Sequence, residues 1–154
     1  MKQIILIACV SKKKNNKAKV EDLYISTLFK YSLDYAKALK PDKIFVLSAL
    51  HHLLELDTEI EPYNVTLSNV PKKKRTTKLK ILSSLEKKEW GKKVIELLSE
   101  KADLKNDKFI FLAGQAYIKP LQNSIANFDN PLLGLAQGKR VAFLKSKIYG
   151  NRNT

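Results

Sequence analysis

Four carboxylates in a short segment are the first candidates for chemistry. Glu55, Asp57, Glu59 and Glu61 alternate along the chain, and alternate residues of an extended strand point to one side. A carboxylate that faces a cationic groove could orient water or stabilise a cationic sugar transition state. Asp57 is the predicted catalytic carboxylate, with Asp22 as a second candidate. The alternative is that the acidic cluster only neutralises nearby lysines.

Three apolar runs, at residues 3–10, 43–48 and 108–113, predict strands of a parallel sheet that is buried on both faces. Ligands of such sheets bind beyond the carboxyl ends of the strands, and aromatic residues there can stack on a base. The sequence therefore predicts a base or nucleotide pocket at this edge. Its candidate residues are Cys9, Ser11, Lys13, Tyr24, Ser48, His51, Tyr63, Gly114 and Tyr117.

Several other kinds of site are not expected. His51 and His52 have no third histidine beside them, and one cysteine cannot build a structural zinc site, so no metal is predicted. The loop after the first apolar run lacks the glycines of a Walker A or dinucleotide-binding loop. No G-x-S-x-G elbow is present. We therefore predict no cofactor and no hydrolase triad.

The elements that must position the pocket alternate between strands and helices. Asp22 is the predicted N-cap of a helix that ends before Pro41, and Ser83 with Glu86 forms the capping box of another. A helix or helical turn is expected near 114–125 and a basic helix after 131. Residues 49–67 should be irregular, with a short helical turn followed by an extended stretch at Pro62 and Tyr63. The predicted fold is α/β: one three-layer domain over residues 1–150 with a small, mainly parallel central sheet flanked by helices, and a frayed tail at 151–154.

Net charge is unusual for a chain of 154 residues, because 29 Lys and Arg face 15 Asp and Glu and leave +14. The excess is concentrated at 11–19, 71–93 and 136–154, which favours a polyanionic partner. From the charge we predict nucleic acid and no membrane, although a lysine-rich surface without a specific partner would give the same charge; the preference for DNA rather than RNA comes only from the family resemblance described below. The candidate phosphate-binding residues are Lys12, Lys14, Lys72, Lys73, Lys74, Arg75, Lys139 and Arg140.

The cysteine content indicates the compartment. Cys9 is the single cysteine and cannot form an internal disulfide, and the apolar run at 4–10 is too short for a signal core or a membrane span. These features predict a reducing, cytoplasmic setting. They leave the oligomeric state open.

Short ordered motifs along nearly the whole chain resemble a family of small bacterial and phage proteins that is distantly similar to the YaaA peroxide-stress family. The matching residues are Cys9-Val10-Ser11-Lys12-Lys13, Asp22-Leu23-Tyr24, Ser26, Leu28, Phe29, Ser32, Tyr35-Ala36, Leu47-Ser48-Ala49, Leu53-Leu54, Ile60-Glu61-Pro62-Tyr63, Thr66-Leu67, Trp90, Ala113-Gly114, Tyr117, Pro131-Leu132 and Gly134-Leu135. Family members often have Lys-Tyr-Gly or Lys-His-Gly where this chain has Leu50-His51-His52.

The resemblance implies DNA binding and protection from oxidative DNA damage. More remotely, the layout is similar to uracil-DNA-glycosylase-like domains, although the chain has neither G-Q-D-P-Y nor H-P-S-P. The leading hypothesis is a DNA glycosylase for a modified or damaged base, with Asp57 or Asp22 assisting cleavage and Tyr24 or Tyr63 stacking on the extruded base. The alternatives are a non-catalytic DNA-binding module and an enzyme that acts on a free nucleotide.

Overall fold

The computed structural model describes residues 1–68, 70, 73 and 78–149. Strands and helices alternate along the described chain. They are β1 (Gln3–Ala8), β2 (Ala18–Lys19), α1 (Val20–Leu23), α2 (Thr27–Ala38), β3 (Lys43–Ser48), β4 (His52–Glu55), β5 (Glu59–Ile60), β6 (Val65–Thr66), β7 (Lys80–Ile81), α3 (Ser84–Ser99), β8 (Lys108–Leu112), α4 (Gln115–Gln122), β9 (Phe128–Asp129) and α5 (Gln137–Tyr149).

The central sheet has five strands in the order β4-β3-β1-β8-β9. Strand β1 runs parallel to both of its neighbours, and Ile5 lies opposite Ile44 on one side and Ile110 on the other. Strand β4 is antiparallel to β3, so the sheet is mixed although most of it is parallel. This arrangement confirms the α/β prediction and the three predicted strands.

Both faces of the sheet are covered. Ile4, Ile5, Leu6 and Ile7 are all buried, and because successive strand residues point to opposite faces, neither face of β1 meets water. Helix α2 packs against α5 and against β1, while α3 packs against α4. Helices on a sheet with two buried faces are consistent with the predicted three-layer arrangement.

Helix α2 begins five residues later than Asp22, the N-cap that the sequence predicted. Ser26 is the N-cap, and its side-chain oxygen accepts a hydrogen bond from the Phe29 N–H at 3.1 Å. The preceding residues are held elsewhere, because the Ile25 N–H donates to the Lys12 carbonyl at 3.0 Å and Lys13 forms a bridge with Tyr24. Pairing with the loop after β1 thus separates α1 from α2 and leaves Asp22 inside α1.

The segment after β3 is a hairpin, and the helical turn predicted there is wrong. The chain reverses within four residues and returns as β4, in which Leu53 lies opposite Leu47. His52 has a φ of 69° at the end of this turn, in the left-handed region that glycine adopts without strain. Glycine would adopt this conformation at position 52 without strain.

Helix α3 starts as the sequence predicted. The Glu86 N–H donates to the Ser83 hydroxyl at 3.2 Å and the Ser83 N–H donates to the Glu86 carboxylate at 3.1 Å, which completes the capping box. Trp90 on this helix is 2% exposed, and its indole N–H donates to the Ser48 carbonyl at 2.8 Å. Helix α3 is thereby attached to the carboxyl end of β3.

No described helix is long and apolar enough to cross a membrane.

Candidate functional site

A pocket of about 540 Å³ lies at the carboxyl ends of β1 and β8. The chain leaves β1 toward β3 on one side and later returns to β8 on the other, so the direction of the connections reverses between β1 and β8. Ligands of open α/β sheets bind at such a reversal, because the diverging connections leave a crevice between the two strand ends. The position of this pocket follows that rule and coincides with the edge of the sheet that the sequence predicted.

Six of the residues predicted from the sequence line this pocket. They are Cys9, Ser11, Lys13, Gly114, Tyr117 and Arg140. The prediction missed the hydroxyl groups of Ser32, Thr66 and Ser68 and the amide of Gln137, which also line it. Ser32 follows Phe29 on the face of α2 that packs on the sheet, and its polarity among apolar neighbours was the available signal. Thr66 and Ser68 come from a segment without a clear periodic pattern.

The remaining predicted pocket residues form a hydrogen-bonded cluster that does not line the pocket. The Ser48 hydroxyl donates to the Tyr63 oxygen at 2.8 Å, and the Tyr63 and Tyr24 hydroxyls are 2.5 Å apart. The His51 N–H donates to the Ser48 hydroxyl at 3.0 Å, and its ring packs edge-on against Tyr63. Tyr24 is only 1% exposed. Neither Tyr24 nor Tyr63 therefore presents a ring on which a base in the pocket could stack.

Lys13 connects this cluster to the pocket. Its ammonium nitrogen lies 4.3 Å from the centre of the Tyr63 ring and 5.6 Å from that of Tyr24, within the range of a cation–π contact. Burial lowers the pKa of Lys13, and attraction to Cys9 partly opposes that shift. Burial also raises the pKa of Tyr24, Tyr63 and Tyr117 above the usual value. The three phenols therefore stay protonated at neutral pH and can donate hydrogen bonds.

The structure does not bring the predicted catalytic carboxylates to the pocket. Asp57 is exposed in the turn between β4 and β5, and Asp22 is exposed in α1. The acidic segment turns after Glu55, which lies 3.8 Å from the Lys43 ammonium, so the alternation does not place all four carboxylates along one strand. No Asp or Glu is found among the described residues that line the pocket.

Arg140 provides a fixed cation at the pocket. Its Nε donates to the Leu135 carbonyl at 2.8 Å, and this bond orients the guanidinium. A Cβ placed on Gly114 would lie 3.4 Å from its Nη1 atom, so the guanidinium lies beside the N-cap of α4. A guanidinium next to the free N–H groups of a helix N-terminus is an arrangement suited to an anionic oxygen.

Three helices begin at the pocket, and all three lack acidic residues in the first turn. The pocket is lined by Leu28 and Phe29 of α2, by Gly114 and Tyr117 at the start of α4, and by residues of the first turn of α5. The first turns of α2, α4 and α5 contain no Asp or Glu, whereas those of α1 and α3 do. The positive ends of three helix dipoles thus lie at the pocket, and none of the described lining residues is a carboxylate that would balance them.

Exposed lysines adjoin the pocket on the chain. Lys12 and Lys14 flank Lys13, and Lys139 precedes Arg140; all three are exposed, as is Lys73. The predicted phosphate-binding residues Lys72, Lys74 and Arg75 lie outside the described residues. Lys78 and Lys80, which the prediction did not name, flank the pocket residue Leu79 and are exposed. Exposed lysines therefore flank pocket-lining residues in three separate segments of the chain.

Fold and site together define an α/β protein with an open, mainly parallel sheet and a cationic pocket at its topological switch point. The chain belongs to a family of unknown function, DUF6884, which it matches over residues 4–146. A comparison with curated proteins and one with solved structures found no match. Membership in this family assigns no activity to the chain. The similarity to YaaA and to uracil-DNA-glycosylase-like domains therefore stays a prediction.

Proposed function

We propose that this protein binds nucleic acid and takes one nucleotide unit into the switch-point pocket. The observation that carries the proposal is the meeting of Lys13, Arg140 and three helix N-termini at a pocket of about 540 Å³ without a described carboxylate. Such a surface attracts an anion from several directions. Its volume is within the range of small-molecule sites, roughly 300–1,000 Å³, and accommodates a phosphate together with a sugar and a base.

The pocket lining combines polar and apolar groups, and this combination supports a ligand with an anionic and a planar part. The Arg140 guanidinium, which lies beside Gly114, suits a phosphate. Leu28, Val65 and Leu132 are apolar lining residues that could contact the face of a base. A free inorganic phosphate would leave these apolar groups unused.

The exposed lysines favour a nucleotide within a polymer over a free nucleotide. Lys12, Lys14, Lys78 and Lys139 adjoin the pocket segments but are not among the residues that line it. Ammonium groups outside the pocket could contact the phosphates that precede and follow the bound unit. We propose DNA as the polymer, in agreement with the expectation from the sequence, within a reducing, cytoplasmic setting.

The glycosylase hypothesis needs different catalytic residues. Asp57 and Asp22 are exposed and do not line the pocket, so we do not assign them a role in glycosidic cleavage. The pocket residues that could take part in chemistry are the thiol of Cys9, the amine of Lys13 and the hydroxyl of Tyr117. If the protein removes a base, the catalytic groups must therefore be a thiol, an amine or a hydroxyl of the pocket and not a carboxylate.

The test compares Arg140→Gln with Lys105→Gln, which removes an exposed lysine just before β8, at the opposite end of the strands from the pocket. Fluorescence anisotropy would follow a labelled single-stranded oligonucleotide in DNA and RNA form at several salt concentrations. A hydrogen bond to a charged group contributes about 1.5–3 kcal/mol, so Arg140→Gln should weaken binding about tenfold or more. Its log–log salt slope should fall by roughly 0.7–0.9 for one lost phosphate contact.

Three results would contradict or redirect the proposal. Equal affinities of Arg140→Gln and Lys105→Gln would exclude Arg140 as a phosphate ligand. Binding of a mononucleotide as tightly as the oligonucleotide would favour the free-nucleotide alternative. Tighter binding of RNA than of DNA with the same sequence would replace DNA by RNA as the partner.

A further inference from the structure

We propose that Cys9 is the nucleophile of the switch-point pocket and that its thiol adds to an electrophilic carbon of the nucleotide bound there. This inference rests on the proposed function for the identity of the ligand. The reactivity of the thiol itself follows from the structure of the protein without ligand and can be measured separately.

The backbone holds Cys9 in place at the pocket wall. It is the residue directly after β1, and its N–H donates to the Leu47 carbonyl of the neighbouring strand at 2.9 Å. Its sulfur lies 3.3 Å from the Tyr117 hydroxyl oxygen, the two side chains being 9% and 4% exposed. The little surface that the residue keeps belongs to the pocket lining. A reagent must therefore enter the pocket to reach the sulfur.

Lys13 distinguishes Cys9 from an inert core cysteine. Thiolates, not thiols, are the nucleophiles, and a nearby cation stabilises a thiolate. Lys13 and Cys9 line the same pocket, and the neighbouring Cys9 raises the pKa of Lys13, against the lowering by burial. A cysteine that only fills space in an apolar core has no such neighbour.

An independent feature indicates that the pocket holds a polar ligand. Ser32 is 2% exposed and lines the pocket from α2. Its hydroxyl takes part in none of the side-chain hydrogen bonds found among the described residues, and the residue lines the pocket. A hydroxyl in an enclosed site usually has a hydrogen-bond partner. A ligand that enters the pocket could supply that partner and would lie against the same wall as Cys9.

The proposed step is a reversible addition across a C=O or C=N bond of the bound base. The sulfur lone pair forms the S–C bond, and the π electron pair moves onto the oxygen or nitrogen. The proton that the thiol loses ends on that oxygen or nitrogen. Tyr117 could relay the proton by accepting one from sulfur while it donates its own, so that no tyrosinate forms. Atoms and electrons balance without a metal or a redox partner.

The test alkylates the folded protein with iodoacetamide and, in parallel, with iodoacetate, and follows the intact mass. Because Cys9 is the only cysteine, every single alkylation reports on this residue. Free thiols react faster with the neutral iodoacetamide than with the anionic iodoacetate. In the cationic pocket we expect the ratio of the iodoacetate rate to the iodoacetamide rate to rise about tenfold or more above that of free cysteine.

Two variants separate the contribution of Lys13 from general effects of charge. Lys13→Gln should lower both alkylation rates and return the ratio toward the value of free cysteine, since a neighbouring cation changes the thiolate fraction by about tenfold or more. Lys105→Gln, which removes an equal charge at the other end of the strands, should leave both rates unchanged. Circular dichroism and urea unfolding of each variant would confirm that it is folded.

Alkylation that requires unfolding of the protein would overturn the proposal. So would a reagent ratio equal to that of free cysteine, or equal rates in Lys13→Gln and wild type. If alkylation behaves as expected but neither mononucleotides nor oligonucleotides slow it, the result supports a reactive Cys9 and refutes a nucleotide as the ligand of the pocket. If nucleotides bind without protecting the thiol, the pocket assignment stands and Cys9 as nucleophile is refuted.

Discussion

The contact between α3 and α4 provides a sharp test of the packing that places the pocket. Gly91 of α3 lies against Pro120 of α4, and a Cβ added to Gly91 would lie 2.7 Å from the Pro120 carbonyl oxygen and 2.8 Å from its Cβ. Neither neighbour is the flexible end of a side chain. Gly91→Ala must therefore move one helix against the other.

The expected change in stability follows from two opposing contributions. Overpacking a well-filled core costs about 1–3 kcal/mol. Alanine is better than glycine in a helix interior by about 0.8–1 kcal/mol, which offsets part of that cost. Because the close contacts are with a second helix and its proline ring, we expect the upper part of the range, and hence a net loss of about 1–2 kcal/mol in the free energy of unfolding.

Gly138 provides the matched control. It lies in α5, and a Cβ added there would meet no other atom within 4 Å. Gly138→Ala should therefore keep only the helical benefit and stabilise the protein by less than the roughly 1 kcal/mol of a helix-interior position, because Gly138 is the second residue of α5. The same substitution is thus expected to have opposite signs at two helical positions.

Urea unfolding at equilibrium measures both variants, with the fluorescence of Trp90, the only tryptophan, as the probe. Trp90 packs edge-on against Tyr117 with 5.8 Å between ring centres, so its emission also reports a shift of α4. The reasoning would be refuted if Gly91→Ala were as stable as wild type at an unchanged m-value, because the close approach of the two helices would then not restrict this position.

Three further changes test other local features. His52→Gly should raise the free energy of unfolding by about 0.5–1 kcal/mol in urea, because glycine removes the left-handed strain of the hairpin; a loss would contradict this. Trp90→Phe leaves the buried Ser48 carbonyl without its donor and should cost about 1–3 kcal/mol by the same assay, whereas an unchanged midpoint would exclude that bond as a contributor. The Glu86 carboxyl, hydrogen-bonded to Lys80 and Ser83, has its pKa lowered from 4.5 to about 2. Its stabilising effect should be complete above pH 4.5 and lost as the pH falls toward 2; a carbon-detected NMR titration should give a midpoint near 2 that rises in Lys80→Gln.

The regular elements of the sheet were predictable because they are coded locally. The run from Gln3 to Ala8 is apolar throughout, which only a strand covered on both faces tolerates. The capping box of Ser83 and Glu86 is equally local, since both partners lie within one turn. The strands β1, β3 and β8 and the start of α3 were therefore found without knowledge of their neighbours.

The elements that were missed depend on contacts that are distant in the chain. Asp22 is an acceptable N-cap by residue type, but pairing between the loop after β1 and residues 23–25 moves the start of α2 to Thr27. His52 is a poor residue for a left-handed turn, and only its pairing opposite Ser48 in the hairpin accounts for that conformation. Short strands such as β9 have too few residues to show a period.

The candidate site was predictable where it follows from topology and not where it depends on side-chain direction. Cys9, Ser11 and Gly114 come directly after strands β1 and β8, and the rule for parallel sheets is sufficient to place them together. Ser48 also follows a strand, yet its hydroxyl points to Tyr63 and not to the pocket. The carboxyl end of a strand fixes the edge of the sheet at which a residue lies, but the packing around it decides which cavity its side chain reaches.

Charge placement explains why the carboxylates were misleading and the cations were not. The acidic cluster was a candidate for function because acidic residues are few in a chain with a net charge of +14. In the structure, Glu55 lies beside Lys43 at the surface, where an ion pair contributes little to stability. Lys13 and Arg140 each belong to a run of basic residues in the sequence. Only the fold shows that these two line the pocket and that the lysines beside them do not. Because they line the pocket while their neighbours remain in solvent, a loss of affinity on removing Arg140 but not Lys105 would report on the pocket and not on net charge.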